Sequence, residues 1–217
     1  MIQAYYQDDA VTIYHGDCRE ILPQLEPVDL VLTDPPYGIN HPTNYASRGR
    51  AVLADCRDYP PVFGDDKPFD PSQLLSVPCV LFGANYYADK LPPSSGWIVW
   101  DKLRPKGIDQ ADAELAWTNF VKGVRVFRQR WHGAMRDSAD VLWHPTQKST
   151  ELMKFCLSLP WTPEGLVLDP FMGSGTTLRA AKDLGRKAIG IEIEEKYCEI
   201  AAKRMSQEVL QFEALAK

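Results

Sequence analysis

A carboxylate, two prolines and a tyrosine follow an apolar stretch of this sequence, at Asp34-Pro35-Pro36-Tyr37. The preceding residues 28–33 predict a buried strand. Because proline fixes its own φ and keeps the preceding residue extended, the acceptor oxygens of Asp34 and Pro35 project beyond the strand end. Two acceptors can bind both hydrogens of an NH2 group, and an aromatic ring can stack on a planar heterocycle. The four residues favour an exocyclic amine on a base as ligand, with an ordinary Pro-Pro turn as the alternative.

A second polar group follows the apolar residues 166–168, where Asp169 ends a predicted strand and a glycine-containing turn at 173–176 begins a helix. Glycines permit close backbone approach, and a helix N-terminus presents unpaired N–H groups. The turn is not a Walker loop or a dinucleotide fingerprint, because it lacks the lysine of the first and has Leu178 where the second needs a small residue. Glu192 ends the next predicted strand, where such sites hold ribose hydroxyls.

Three motifs jointly resemble those of amino-directed DNA methyltransferases: DPPYG at 34–38, HPTQKS at 144–149 and DPFMGSGTTL at 169–178. Their order, with the catalytic motif first, is similar to the beta-class arrangement. The resemblance implies double-stranded DNA as substrate, S-adenosylmethionine as methyl donor and S-adenosylhomocysteine as product. It also implies a single-domain α/β fold of the Rossmann-like methyltransferase type. We therefore expect a mostly parallel seven-stranded sheet with helices on both faces and a circularly permuted motif order, consistent with the alternation of predicted strands and helices.

The resemblance assigns roles residue by residue. The catalytic residues are Asp34, Pro35, Pro36 and Tyr37. The cofactor-binding residues are Asp17, Cys18, Asp34, Lys148, Asp169, Phe171, Gly173, Ser174, Gly175, Thr176 and Glu192. Asp17 also suits a helix N-cap, and Lys148, expected at the methionine carboxylate of the cofactor, has a surface lysine as its alternative. No metal is expected, because the five cysteines are scattered without C-x-x-C spacing.

The net charge of −5 hides an uneven distribution. Residues 1–101 contain six basic and fourteen acidic side chains, whereas residues 102–136 contain eight basic and three acidic ones. Clustered positive charge is typical of a phosphate-binding surface, with a solvated charged segment as the alternative. Predicted strands at 113–120 and 124–131 would form a basic β-ribbon along a duplex, or an ordinary amphipathic hairpin. The expected DNA-binding residues are Arg48, Arg50, Arg125, Arg128 and Arg130.

The 217 residues can bury one substantial core, and we expect one domain over 1–217. It divides into a catalytic half at 1–100, a basic insertion at 101–143 that would include DNA recognition, and a cofactor-binding half at 144–217. The irregular residues 39–66 predict a long loop and a candidate lid. The sequence has no apolar run of ~18–20 residues and no signal-peptide pattern, so we expect a cytoplasmic protein without membrane contact. The sequence determines neither whether the protein forms a homodimer nor whether a cognate restriction nuclease accompanies it.

The expected reaction is methylation of adenine N6. Asp34 and the Pro35 carbonyl would accept both N6 hydrogens, localise the lone pair and stabilise developing positive charge. The base must flip out of the duplex and would stack on Tyr37. Cytosine N4 and a glutamine side chain are alternative acceptors, but their enzymes favour serine or asparagine at position 34. A catalytically idle DNA-binding partner subunit is the alternative from another class.

Overall fold

A computed structural model describes residues 2–43, 60–105, 111–132, 135–137, 141, 143 and 146–207. The strands, in chain order, are β1 Tyr6–Gln7, β2 Val11–His15, β3 Leu30–Thr33, β4 Cys79–Phe82, β5 Gly96–Asp101, β6 Ala113–Thr118, β7 Val124–Arg128, β8 Trp131–His132, β9 Met135–Arg136, β10 Val167–Asp169 and β11 Ala188–Glu192. The α-helices are α1 Cys18–Ile21, α2 Thr150–Leu157, α3 Thr176–Asp183 and α4 Glu195–Met205. Short 3-10 helices occupy Leu22–Gln24, Ser72–Leu74, Ala84–Tyr86 and Ala88–Lys90.

The main sheet has the strand order β1-β2-β11-β10-β3-β4-β6-β5-β7. Only β1 and β6 run antiparallel to their neighbours, so the prediction of a mostly parallel sheet is confirmed. The predicted number of strands, seven, is wrong, because the sheet formed by the described residues contains nine. The edge strand β1 spans only two residues, too few to give an alternating sequence pattern.

The sheet is covered on both faces, as the sequence predicts. Leu30 and Leu32 of β3 pack in one core cluster with residues of α2, α3 and α4. Val31 packs on the opposite face, against residues of α1 and the 3-10 helices. All three side chains are at most 1% exposed. The central strand is therefore buried on both sides, which explains its uninterrupted apolar sequence. No helix within the described ranges is long and apolar enough to cross a membrane.

The predicted basic β-ribbon is not formed. Strand β5 lies between β6 and β7, and β7 pairs with β5 in parallel. Residues 119–123 connect β6 to β7 across two strand spacings, about 9.6 Å, which five residues easily span. Both strands of the predicted ribbon thus belong to the main sheet, within the segment expected to be an insertion.

Candidate active site

Four carboxylates lie at or just beyond the carboxyl ends of four adjacent parallel strands. In the order β2-β11-β10-β3 these are Asp17, Glu192, Asp169 and Asp34. The Thr33 hydroxyl donates to Asp169 Oδ1 over 2.7 Å, which joins the catalytic motif to the cofactor motif. Strand order therefore brings together motifs that are far apart in the sequence, at the edge where parallel sheets bind ligands.

A cavity of about 1290 Å³ opens at this edge. All predicted catalytic and cofactor-binding residues line it except Gly175, which adopts a left-handed φ of 79° as the N-cap of α3. A Cβ at Gly175 would lie 3.0 Å from the Ala201 Cβ, so a side chain there would crowd α4. Gly175 therefore shapes the turn without facing the cavity.

The Asp34 carboxylate is held by two donors. The Lys148 ammonium donates to Oδ2 over 2.5 Å, and the Tyr37 hydroxyl donates to Oδ1. The Asp34 side chain is 18% exposed, and burial raises its pKa above the usual value against the opposing effect of the Lys148 ammonium. Both oxygens of the Asp34 carboxylate are thus held by side-chain donors at the edge of the cavity.

Lys148 does not lie on the surface. Its side chain is 5% exposed and contacts Asp34, Glu114 and the Tyr37 hydroxyl, the last at 3.3 Å. The two carboxylates raise the pKa of Lys148 against the opposing effect of burial, so the ammonium form is favoured. The adjacent Ser149 is the N-cap of α2, accepting from Leu152 N over 3.1 Å, which fixes the position of Lys148. The surface-lysine alternative is therefore wrong.

Glu114 is a site residue that the sequence did not reveal. It lies 3.2 Å from the Lys148 ammonium and pairs with Lys102 through its other oxygen. Burial raises the pKa of Glu114, but Lys148 and Lys102 outweigh it and lower the pKa to about 2. Because β6 is antiparallel, its first residues reach the edge where the parallel strands end. The available signal was a lone acidic residue in the apolar strand Ala113–Thr118.

Tyr37 packs against the turn that contains Gly83 and Tyr86. Its ring stacks on Tyr86, with centroids 5.2 Å apart and planes at 17°. Gly83 adopts a left-handed φ of 67°, and a Cβ there would lie 2.0 Å from the Tyr37 ring. The absence of a side chain at Gly83 is therefore required for the position of Tyr37.

Asp65 fixes the loop that follows the catalytic motif. Its Oδ1 accepts from the backbone N–H groups of Tyr37, Gly38 and Ile39, and its Oδ2 accepts from His41 N over 2.6 Å. Asp65 is 5% exposed. The sequence placed this residue inside the candidate lid at 39–66 without a specific role, and residues 44–59, with Arg48 and Arg50, lie outside the described residues.

On the cofactor side, backbone groups hold the carboxylates. Glu192 accepts from Gly173 N over 2.9 Å and from Glu194 N over 2.8 Å, and Asp169 accepts from Phe171 N over 3.1 Å. Burial raises the pKa of both acids to about 6, so both are largely ionised at neutral pH. The Ser174 hydroxyl donates to Gln147 Oε1 over 2.9 Å, which connects the glycine turn to the segment that carries Lys148.

Asp17 is the N-cap of α1, the structural alternative that the sequence offered, and it also lines the cavity. Its Oδ1 accepts from Arg19 N over 2.9 Å as the N-cap of α1, and its carboxylate pairs with the Arg19 side chain. Cys18 is half-buried, and burial raises the pKa of its thiol to about 11. An acidic cavity with an aromatic ring at Phe171 and backbone donors at the turn fits a ligand with a cationic centre and ribose hydroxyls.

Of the predicted DNA-binding arginines in the described part of the chain, Arg125 and Arg128 lie on opposite faces of β7. Arg125 stacks over Trp161 at 4.6 Å, whereas Arg128 pairs with Asp101 at 3.4 Å. Arg130 is exposed and follows β7. Side chains three residues apart on a strand point to opposite faces, so Arg125 and Arg128 separate. The basic segment also supplies Lys102 to the buried charges of the cavity.

Comparison with known proteins identifies the class to which this site belongs. Residues 96–203 match the model of a family described as DNA methylase, of the N6/N4 type. The chain is 27% identical to the type II methyltransferase M2.DpnII of Streptococcus pneumoniae, over 96% of this chain and 94% of that protein. It is 24% identical to the type II methyltransferase M2.LlaDCHI of Lactococcus lactis subsp. cremoris, over 95% and 93%. This chain belongs to the N6/N4 DNA methylase family.

Solved structures agree with this assignment. The crystal structure of an M1.HpyAVI–SAM complex aligns with a TM-score of 0.55 and 25% identity, covering 91% of this chain and all of that one. The cytosine-N4-specific PvuII DNA methyltransferase aligns with a TM-score of 0.63 at 16% identity, over 97% and 91%, which shows the fold alone. The predicted fold and methyltransferase class of this N6/N4 methylase are confirmed, as is S-adenosylmethionine as the family's methyl donor.

Proposed function

We propose that this N6/N4 methylase transfers a methyl group to the N6 amine of adenine in duplex DNA. The observation that carries the proposal is the carboxylate at position 34. Asp34 lines the same cavity as the glycine turn, and Thr33 links its strand to Asp169 over 2.7 Å. An acid here, rather than the serine or asparagine associated with other amine acceptors, favours adenine.

The chain's own residues prepare the amine for attack. Asp34 and the Pro35 carbonyl accept the two N6 hydrogens, which localises the nitrogen lone pair and stabilises the charge that develops on it. The flipped base stacks on Tyr37. S-adenosylmethionine, when bound, supplies an electrophilic methyl group on a sulfonium. No covalent bond between protein and base is needed.

We assign the cofactor to the acidic part of the cavity. Glu192 and Asp17 would accept hydrogen bonds from its hydroxyl and amino groups, and Phe171 would pack against its rings. Phe171 lies edge-on to Phe69, with centroids 5.6 Å apart, so its ring is already positioned. Lys148, engaged with two carboxylates, is not free to bind the methionine carboxylate as the sequence predicts.

Product analysis tests this proposal. The protein is incubated with bulk DNA and methyl-labelled S-adenosylmethionine, and the DNA is digested to nucleosides. We expect label in N6-methyladenine. Label in N4-methylcytosine would overturn the target base and keep the mechanism, whereas no incorporation would indicate an idle partner subunit. The same reaction with Asp34→Ala is the control for contaminating methylases.

A further inference from the structure

Four side chains of alternating charge lead away from the reacting end of the cavity. Asp34 contacts Lys148 at 2.5 Å, Lys148 contacts Glu114 at 3.2 Å, and Glu114 pairs with Lys102. Their side chains are 5% to 26% exposed. An ion pair that excludes water is stabilising only when its groups are well matched, and removing one partner leaves a buried unpaired charge. This row therefore has a defined arrangement.

We propose that Lys148 and Glu114 are positioning residues for methyl transfer: Glu114 holds the Lys148 ammonium beside Asp34, and that ammonium keeps Asp34 an anion. The inference rests on the proposed function, since Asp34 is the acceptor of the amine hydrogens. It differs from the sequence-based role of Lys148, which was to bind the cofactor.

The geometry shows why two carboxylates are needed. A buried carboxylate without a cation is driven toward its neutral form, and a neutral Asp34 would stabilise positive charge on the amine poorly. A lysine paired with Asp34 alone would cancel most of the negative charge that the amine requires. Lys148 keeps Asp34 ionised, and Glu114 on the other side shares the ammonium, so the Asp34 anion still attracts positive charge.

Other charged and titratable groups surround this row of side chains. Asp34 faces Tyr37, Tyr87 and Asp169 in addition to Lys148 and Glu114. The other end of the row is faced by His41, Lys102 and Arg104. Among these groups Lys148 is the cation in contact with Asp34, so it has the largest influence on the charge of that carboxylate.

The test compares the pH dependence of turnover in the wild type and in variants with altered charge. Activity requires ionised Asp34, so it falls as pH drops through the pKa of that group. In Lys148→Met the acid limb of the pH–activity profile should move to higher pH by about 1 to 3 pH units, because the neighbouring opposite charge that stabilises the Asp34 anion is lost. In Glu114→Gln a nearby negative charge is lost, so the limb should move to lower pH while the maximal rate falls. Lys148→Arg keeps the charge and should keep the limb near its wild-type position.

The acid limb should move in opposite directions in Lys148→Met and Glu114→Gln, which distinguishes a positioning role from a purely structural one. A structural defect would lower turnover at every pH without moving the limb, and that result in both variants would overturn the proposal. Affinity for S-adenosylmethionine should be unchanged in Lys148→Met. A loss of affinity with an unmoved limb would return Lys148 to cofactor binding. If Lys148→Met does not fold, the double variant Lys148→Met/Glu114→Gln replaces it. Its acid limb should still lie at higher pH than that of the wild type, because Lys148 is nearer to Asp34 than Glu114 is.

A readout without turnover distinguishes failure of this inference from failure of the proposed function. The ¹³C resonance of the Asp34 carboxyl, assigned by its loss in Asp34→Asn, is titrated in wild type and Lys148→Met. We expect ionisation at higher pH in the variant. Equal titration in both proteins would overturn the role of Lys148, even if the wild type methylates adenine. A wild type that methylates no DNA would overturn the proposed function alone.

Discussion

The two sides of the cavity hold their carboxylates in different ways. On the cofactor side, backbone N–H groups bind the carboxylates: Glu194 and Gly173 donate to Glu192, and Phe171 donates to Asp169. On the catalytic side, lysine side chains bind Asp34 and Glu114, and Lys148 is 114 residues from Asp34 in sequence. Turns provide the backbone donors, whereas the lysines come from other segments of the fold: Lys148 precedes α2 and Lys102 follows β5. Charge changes on the catalytic side should therefore alter turnover, whereas those on the cofactor side should alter cofactor binding.

The largest expected effect separates chemistry from cofactor binding at Asp34. Asp34→Ala should lower turnover by ~10²- to 10³-fold, the loss typical of removing one pre-aligned group that stabilises transition-state charge. Its affinity for S-adenosylmethionine should stay at the wild-type value, measured by calorimetry. Asp34→Asn keeps an acceptor oxygen and should retain more activity than alanine. Equal methylation by wild type and Asp34→Ala would contradict the mechanism.

The converse test is Glu192, on the cofactor side. Glu192→Ala should weaken S-adenosylmethionine binding by roughly 1 to 3 kcal/mol, the range for losing charged hydrogen bonds. The exposed Glu26→Ala is the matched control and should bind normally. Because the pKa of Glu192 is about 6, wild-type affinity should fall as pH drops below that value. Unchanged affinity in folded Glu192→Ala would remove this residue from the site.

A smaller effect concerns the packing under Tyr37. Gly83 and Gly123 have similar φ values, 67° and 71°, so alanine at either carries a similar backbone penalty of ~1 kcal/mol. Only at Gly83 does the added Cβ meet a ring, since nothing lies within 4 Å at Gly123. Gly83→Ala should therefore lose more stability in urea unfolding, by about 1 kcal/mol or more, and lose turnover. Equal behaviour of the two variants would show that Tyr37 moves freely.

The smallest effect is expected at the basic segment. If Arg128 and Arg130 neutralise phosphates, changing both to Glu should reduce the log–log salt slope of DNA binding by about 0.9 per contact. Arg125→Glu, at the residue that stacks on Trp161, is the comparison and should change the slope little. Cofactor affinity should be unchanged in both proteins. An unaltered slope in the double variant would support the solvated-segment alternative.

The sequence by itself determined the local parts of this protein. Strands β3 and β10, the Asp34–Tyr37 motif and the turn at 173–176 were predictable, because proline geometry, glycine and apolar runs act within a few residues. The N-cap role of Asp17 was also foreseen as an alternative. Asp169 and Glu192 each accept from a backbone N–H two residues further along the chain, so part of their environment is local.

Only the tertiary structure decided the contacts between segments. Lys148 was assigned to the cofactor, yet its ammonium lies between Asp34 and Glu114. Glu114 and Lys102 carried no motif, and the basic ribbon was wrong because β5 separates β6 from β7. A side-chain ion pair leaves no local pattern in sequence, since its partners meet through strand order. For that reason the carboxylate was predictable and the lysine that holds it was not.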